Sequence, residues 1–399
     1  MNIIYFVHGF PPSLSAGAIN AYEIAKYLSN YGHKILVLCP GILSRKGDSN
    51  RTIIEPNLNI SVKFSSKILK FPLNLTLSHF ENMIRYLLKI KNKFYADIII
   101  SQYNTYQYAS VVGSFVSRIL GIPHIIRSHD TLLDKDFFKF PMKTMHSLIY
   151  PMIFRSILNC KTFYALTSEQ KRNLEMNQKL NNLNFKTHPN GIDINQFYPF
   201  KNQEDLKNKL GCENVLLYLG NIAESVGLTK LINVLPRIFK EHKETHLIII
   251  GDGNYKSSLI RDIKKSPYNN QIHFLGTKPH NEIPFYINNC DIGIGRLGNN
   301  RSFRYDLPNK FLEYMACKLP YITVPCSKDL LKKNDVGLLL NWEFSNDELF
   351  KKLILLIEDK SLRKKLGANG YNKIINNFQW EKVMKTFNND LIQVLNNSN

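Results

Sequence analysis

The sequence predicts an α/β protein built from two doubly wound, Rossmann-like domains facing each other across a cleft. Three observations carry that prediction. Short apolar β-type runs alternate with helix-length segments along the whole chain, the pattern of parallel sheets with helices on both faces. A second series of such runs starts after residue 200, beyond a turn-rich stretch at 189–199 with few helix formers. Several runs end at Gly, which lets the following helix approach the sheet edge closely. With 399 residues there is room for two domains of ordinary size. The expected division is 1–195, 196–378, and a C-terminal helix over 379–399 that crosses back to the first domain.

In the first series, residues 2–8 and 34–39 read as strands flanking a helix near 17–31, followed by strands at 96–100, 123–127 and 162–166. The opening run lacks the basic region and small-residue cleavage site of a secretory signal and reads as a first strand. The second series has strands at 215–220, 245–251, 272–276, 291–294 and 321–324. Ligands of such sheets bind beyond the carboxyl ends of the strands, so both domains are expected to offer loops to the cleft.

The most informative stretch is 307–320, which opens Leu307-Pro308-Asn309-Lys310-Phe311-Leu312-Glu313. Pro at a first helical position leaves unpaired N–H groups facing out of the helix N-terminus, where phosphate binds. Lys310 adds a positive charge there, and Glu313 lies further along roughly the same face, placed to accept hydrogen bonds from sugar hydroxyls. A helix end suited to a diphosphate, beside a carboxylate suited to a ribose, is chemistry for a nucleotide-sugar. The plain alternative is an ordinary αβ unit of a parallel sheet.

Composition narrows the class. The 44% hydrophobic and 21% charged content is that of a soluble globular protein, and no apolar run approaches the ~18 residues that span a bilayer. Six scattered cysteines without a CxxC pair suggest neither a zinc site nor a disulfide framework, so a cytosolic protein is expected. The net charge is +20, and the excess is larger in residues 1–200, with 23 basic against 11 acidic residues. Within 63–93 seven basic residues face a single acid, Glu81. Such a surface suits an anionic partner, whether nucleic acid, phosphorylated substrate or acidic lipid, or is simply solvated. The stretches 71–94 and 137–143 mix aromatics with lysines and suit peripheral binding to an acidic membrane; packing on the domain's own core is the alternative.

The chain resembles the retaining nucleotide-sugar transferases of glycosyltransferase family 4, which have the two-domain GT-B architecture. The likeness runs nearly end to end. It includes the Gly17 loop, Gly32-His33 before the second strand, Ser128-His129-Asp130, Thr167-Ser168, Pro189-Asn190-Gly191-Ile192-Asp193 and Phe197-Tyr198-Pro199. It continues through Gly251-Asp252-Gly253 and Phe274-Leu275-Gly276. The resemblance implies a sugar transferred from a UDP- or GDP-linked donor to a glycan or lipid-linked glycan, with retention and without a required metal or other cofactor. With the basic-aromatic stretches, a lipid-linked acceptor leads to the expectation of action at the cytoplasmic face of a membrane, and no nucleic-acid partner is expected. The resemblance also implies that His129 contacts the transferred sugar; from their places in the sequence Gly17, Asn221, Gly253, Lys278, Arg304, Lys310 and Glu313 are expected around the donor.

Two departures from the family pattern stand out. The usual diphosphate-binding Arg and Lys are replaced by Asn221 and Val226, and the first of the usual carboxylate pair by Tyr305, with Asp306 beside it. Lys310 and Arg304 are the nearest replacement cations in sequence, with Arg296 and Arg301 behind them. A lysine restored at 226 would be expected to share a phosphate with Lys310. Asp306 either binds donor-sugar hydroxyls as a catalytic residue or caps the helix begun at Pro308. Gly17 alternatively serves as a loop hinge, His129 as a structural strand-end histidine and Lys278 as a solvated side chain. Asp134-Lys135-Asp136 has the spacing of a metal-binding motif but sits in a basic-aromatic loop. Loss of catalysis, a nucleotide-sugar epimerase of the same architecture, and a basic nucleic-acid binder are the competing readings. The last lacks an RRM, KH or zinc-finger signature.

Overall fold

The computed structural model describes the chain except residues 12, 14, 41–51, 56–57, 66–84, 86, 90–93, 104–108, 130–150, 201–205, 301–303, 328–334 and 398–399. Asp130, the Asp134–Asp136 spacing, the aromatic-basic stretch 137–143, most of 71–94 and Arg301 therefore lie outside the described residues. The chain forms two compact units, Met1–Asn190 together with Trp380–Asn399, and Gly191–Gln379.

The first unit is built on an eight-stranded sheet of order β3-β4-β2-β1-β5-β6-β7-β8. Its strands are β1 (Asn2–Phe6), β2 (Lys34–Pro40), β3 (Thr52–Glu55), β4 (Ile60–Ser65), β5 (Ile98–Tyr103), β6 (His124–Ser128), β7 (Thr162–Ala165) and β8 (Phe185–Thr187). The sheet is buried on both faces, which is why β1 reads as an unbroken apolar run. Ile3 and Tyr5 share one core with the helices Ala16–Asn30 and Trp380–Asn396, and Ile4 and Phe6 share another with Val112 and Val116. Ser15 caps the first of these helices, its side chain accepting from the Ala18 amide.

The second unit has six parallel strands in the order β11-β10-β9-β12-β13-β14. They are β9 (Asn214–Leu219), β10 (Thr245–Ile250), β11 (Ile272–Gly276), β12 (Ile292–Ile294), β13 (Tyr321–Thr323) and β14 (Gly337–Leu339). Counted from the unit's own first strand this is 3-2-1-4-5-6, whose direction of winding reverses between β9 and β12. The helix Asn309–Ala316 lies on one face, its Phe311, Leu312, Tyr314 and Met315 packed with Val215, Leu217 and Leu219 of β9. No helix among the described residues is long and apolar enough to cross a membrane.

Two sequence expectations need correction. The first sheet is not wholly parallel, because β3 pairs antiparallel with β4. Four strands, β3, β4, β8 and β14, are absent from the sequence-based expectation. Of these β8 and β14 are only three residues long, at sheet edges, and β4 alternates buried Ile60 and Val62 with half-buried Ser61 and Lys63 in place of an apolar run.

Asn309–Ala316 ends in a left-handed turn at Lys318 (φ 58°), the non-glycine residue with positive φ among those described. The Leu319 amide donates to Tyr314 O at 2.8 Å and the Lys318 amide to Met315 O at 3.1 Å, the paired bonds of a Schellman end. Lys318 also lies over the Tyr371 ring at 4.9 Å, so a direct Lys-to-Gly comparison mixes two effects. Lys318→Gly and Lys318→Ala both lose the ring contact, and only Gly relaxes the backbone. The glycine variant should therefore be the more stable of the two by ~1 kcal/mol, read from denaturant midpoints.

Candidate functional site

The reversal between β9 and β12 leaves a crevice at the carboxyl ends of these strands, and the chemistry-bearing residues of the second unit converge there. The Tyr314 hydroxyl anchors the helix Asn309–Ala316 to β9, donating to Leu217 O at 3.1 Å and accepting from the Leu219 amide at 3.1 Å. Pro308, extended at φ −65° and ψ 133°, is its N-cap, one residue earlier in the helix than expected. The first turn holds no acidic side chain, and Pro308 makes no side-chain capping bond. No carboxylate of the helix's own first turn therefore competes for its N-terminal end.

Lys310, in that first turn, is half-buried, with Nζ 4.1 Å from the centre of the Tyr218 ring. Burial holds its ammonium well below the ordinary lysine range; Arg296 pushes the same way, while Glu313 and Cys326 oppose. Among the described residues no carboxylate lies within ion-pair distance of Lys310. Arg296 leaves the end of β12 and pairs with Asp306 at 2.6 Å. The Tyr218 hydroxyl donates to Asn221 O at 2.6 Å, fixing the turn after β9. Glu313 is 7% exposed and meets His280 Nε2 through Oε1 at 3.0 Å.

The structure therefore brings Lys310, Glu313 and Asp306 around one strand crossover, together with Arg296 and His280. Arg304 does not join them as the assisting cation; it is exposed and lies over the Trp342 ring at 4.9 Å. Sequence distance is misleading here, because the crossover from β12 to the helix returns residue 310 to the strand end at 296. Asp306 does not cap the helix; its partner is Arg296. Gly253 stands beside Asn221, since a Cβ there would come within 2.3 Å of Ile222 O and 2.5 Å of Asn221 Oδ1. Only glycine lets these two turns pass so closely. Lys278 is half-buried, with Nζ 5.9 Å from the Tyr286 ring centre.

Val226, at the position of the family's lysine, belongs to the core. Its side chain is buried in the apolar core and its carbonyl accepts from the Leu297 and Gly298 amides, both at 2.8 Å. Val226→Lys should lower stability by ~1–3 kcal/mol in thermal unfolding, without strengthening donor binding.

The first unit gathers a separate set. His8 follows β1, His129 follows β6, and their ring centres are 5.2 Å apart. Gly17, in the first turn of Ala16–Asn30, packs against both, since a Cβ there would lie 2.3 Å from His8 Nε2 and 2.9 Å from His129 Nε2. Burial lowers the His8 pKa to about 4 against an opposing bond to Gln102. Burial also pushes His129 well below its ordinary value, helped by His8 and Arg127. Both rings are neutral near pH 7, so each offers one N–H donor and one acceptor nitrogen. Arg127, fully buried, donates from Nε to His188 Nδ1 at 2.6 Å and from its terminal nitrogen to Asn190 Oδ1 at 2.8 Å. Sequence reasoning singles out Gly17 and His129 and misses His8, His280 and Arg127, whose significance lies in contacts between distant segments. No cluster of metal-ligating side chains occurs among the described residues.

Comparison with known proteins bears on the family and the fold. The sequence model described as glycosyl transferases group 1 matches residues 200–373, and that of glycosyltransferase family 4 matches residues 18–196. The alpha-monoglucosyldiacylglycerol synthase of Acholeplasma laidlawii is 22% identical over 394 residues, covering 92% of this chain and 91% of that protein. The solved sucrose-phosphate synthase of Thermosynechococcus elongatus superposes with a TM-score of 0.76 at 15% identity, over 99% of each chain. HepE of Anabaena, solved with UDP-glucose, gives 0.74 at 17% identity, over 98% of this chain and 100% of that one.

Proposed function

The chain belongs to the group 1, family 4 glycosyltransferases of GT-B fold, and from that premise we propose that it moves a sugar from a UDP- or GDP-linked donor to a glycan or lipid-linked glycan. The reaction retains anomeric configuration, needs no metal or other cofactor, and serves cell-surface polysaccharide or glycoconjugate synthesis. The observation that carries this reading is the set Lys310, Arg296 and Glu313 at the β9–β12 crossover, beside a helix N-terminus free of acidic side chains.

The diphosphate sits against the first turn of Asn309–Ala316, where helix amides and the Lys310 ammonium meet the charge that grows as it leaves. Glu313 accepts hydrogen bonds from the ribose. Asn221, Gly253 and Lys278 border the base, and Arg304 lies at the rim. Asp306 is assigned the transferred sugar, and Gly17 and His129, in the first unit, keep the roles expected of them from the sequence. The neutral imidazole of His129 donates one hydrogen bond rather than supplying a charge. The A. laidlawii relative, named for a diacylglycerol lipid, and the UDP-glucose complex of HepE support the acceptor and donor classes respectively.

The enzyme works at the cytoplasmic face of an anionic membrane, held by the basic first unit. Arg85 and Lys89, both exposed, are among the described residues of the basic stretch; Lys89, Lys91 and Lys139 are the set to be tested. Charge reversal at all three should reduce sedimentation with anionic liposomes by ~1 kcal/mol per residue, most at low salt. Equal binding to neutral vesicles, or none at all, would contradict membrane contact.

Incubation with UDP- and GDP-sugars tests the function. Slow nucleoside diphosphate release, accelerated by a lipid extract containing the acceptor, is expected. Isomerised nucleotide-sugar would indicate an epimerase. Tight nucleic-acid retention with neither product would indicate the nucleic-acid binder.

A further inference from the structure

Glu313 has a histidine behind it, and that histidine has a glutamine behind it. His280 stands at the start of the short turn His280–Glu282 that follows β11, 33 residues before Glu313 in sequence. Its Nε2 lies 3.0 Å from Glu313 Oε1. On its other side Gln196 Nε2 lies 3.1 Å from the His280 carbonyl and 3.4 Å from Nδ1. An amide nitrogen only donates, so Nδ1 is the acceptor and the proton sits on Nε2, directed at the carboxylate. The Phe197 ring, fully buried, packs on the imidazole with centres 5.0 Å apart. Gln196 and Phe197 are in turn fixed by a turn in which both amides donate to Asp193 O, at 3.2 and 2.8 Å.

We infer that Gln196 and His280 are positioning residues that set the ribose specificity of the donor site, by holding the Glu313 carboxylate in one orientation. The relay occupies Oε1 and leaves Oε2 without a protein hydrogen-bond donor among the described residues. A buried carboxylate with one oxygen committed is pre-organised to accept from vicinal hydroxyls with the other, and no rotamer search is needed on binding. A free Glu in the same place would also accept, but would lose side-chain freedom in doing so. The same arrangement gives the segment after the domain boundary a chemical role, because the chain at 193–197 reaches the donor site through one imidazole. The ligand so recognised is a nucleoside diphosphate with an intact 2′,3′-diol.

This inference rests on the assignment of Glu313 to the ribose, and the experiment separates the two. Dissociation constants for UDP and GDP, and for their 2′-deoxy and 3′-deoxy forms, are measured by calorimetry on the full-length chain. The variants are His280→Phe, His280→Gln, Gln196→Ala, Glu313→Ala and the double variant His280→Phe/Glu313→Ala. Phe keeps the ring packing against Phe197 and removes the donor; Gln restores an N–H.

Wild type should prefer the ribonucleotide by ~10-fold or more, the range for a hydrogen bond to a charged group. His280→Phe should lose most of that preference while binding the deoxy forms as wild type does, His280→Gln should recover part of it, and Gln196→Ala should lose a smaller share. The double variant should be no worse than Glu313→Ala. Full preference in His280→Phe with none in Glu313→Ala would overturn the relay and leave Glu313 on the ribose. Full preference in Glu313→Ala would overturn the ribose assignment itself. Equal weakening of all ligands by His280→Phe would make His280 a packing residue and overturn the inference.

Discussion

Lys310→Met should lower turnover by about two orders of magnitude or more, while the donor KM changes only a few-fold. Methionine keeps the length and apolar stem, so the packing over the Tyr218 ring is largely preserved and only the charge is removed. Charge on the departing diphosphate grows towards the transition state, so a cation aimed at it acts mainly on kcat. Loss of one pre-organised donor to a developing anion costs ~2.7–4 kcal/mol in well-studied sites. The helix N-terminus that remains supplies ~0.3–1 kcal/mol, too little to substitute. Steady-state kinetics with the best donor provides the check.

The same residue sets a pH dependence. Burial and Arg296 hold the free Lys310 well below its ordinary pKa, and a bound diphosphate would raise it again. Below the free-state value the ammonium is already charged, so affinity is flat with pH. Between the free and bound values binding takes up a proton, so affinity falls as pH rises through that window. Calorimetry across a pH series, each point in two buffers of different ionisation enthalpy, should detect this uptake in the wild type and not in Lys310→Met. Uptake of equal size in the variant would assign the proton elsewhere.

Gly17→Ala should reduce turnover by about a hundredfold with the fold preserved. The added methyl would sit 2.3 Å from His8 Nε2 and 2.9 Å from His129 Nε2, well inside contact distance, so at least one ring must turn. Displacement of a positioned group by about 1 Å is enough for an effect of this size. Because the alanine tolerates the helical backbone, the melting temperature should move little. Unchanged turnover with a normal melting curve would show that the close packing of Gly17 on the two rings does not matter to catalysis. Lost turnover with a collapsed melting curve would make Gly17 a structural residue.

What is legible in the sequence follows a physical rule. Strands buried on both faces, such as β1, β9 and β10, are contiguous apolar runs and can be read directly. The strands that escape either alternate, as β4 does, or are three-residue edges, where pairing rather than composition makes the strand. In the site, Lys310 and Glu313 are legible because helix start, cation and carboxylate fall within six residues. His280 is not, because its relation to Glu313 is made by the β11 turn meeting a helix 33 residues later. Arg296 falls behind Arg304 in the sequence-based order for the same reason. Sequence distance is a poor guide to neighbours across a crossover, and the strand order that corrects it is a tertiary property. The absence of the family's lysine at 226 is legible, but the burial of Val226 in the core is not.

The most direct measurement of the central claim is a structure of the chain with UDP or GDP bound. The diphosphate oxygens should lie within ~3 Å of Lys310 Nζ and of the first-turn amides of Asn309–Ala316, with the ribose hydroxyls on Glu313. A nucleotide bound elsewhere, with Lys310 still over the Tyr218 ring and Glu313 paired only to His280, would contradict the account.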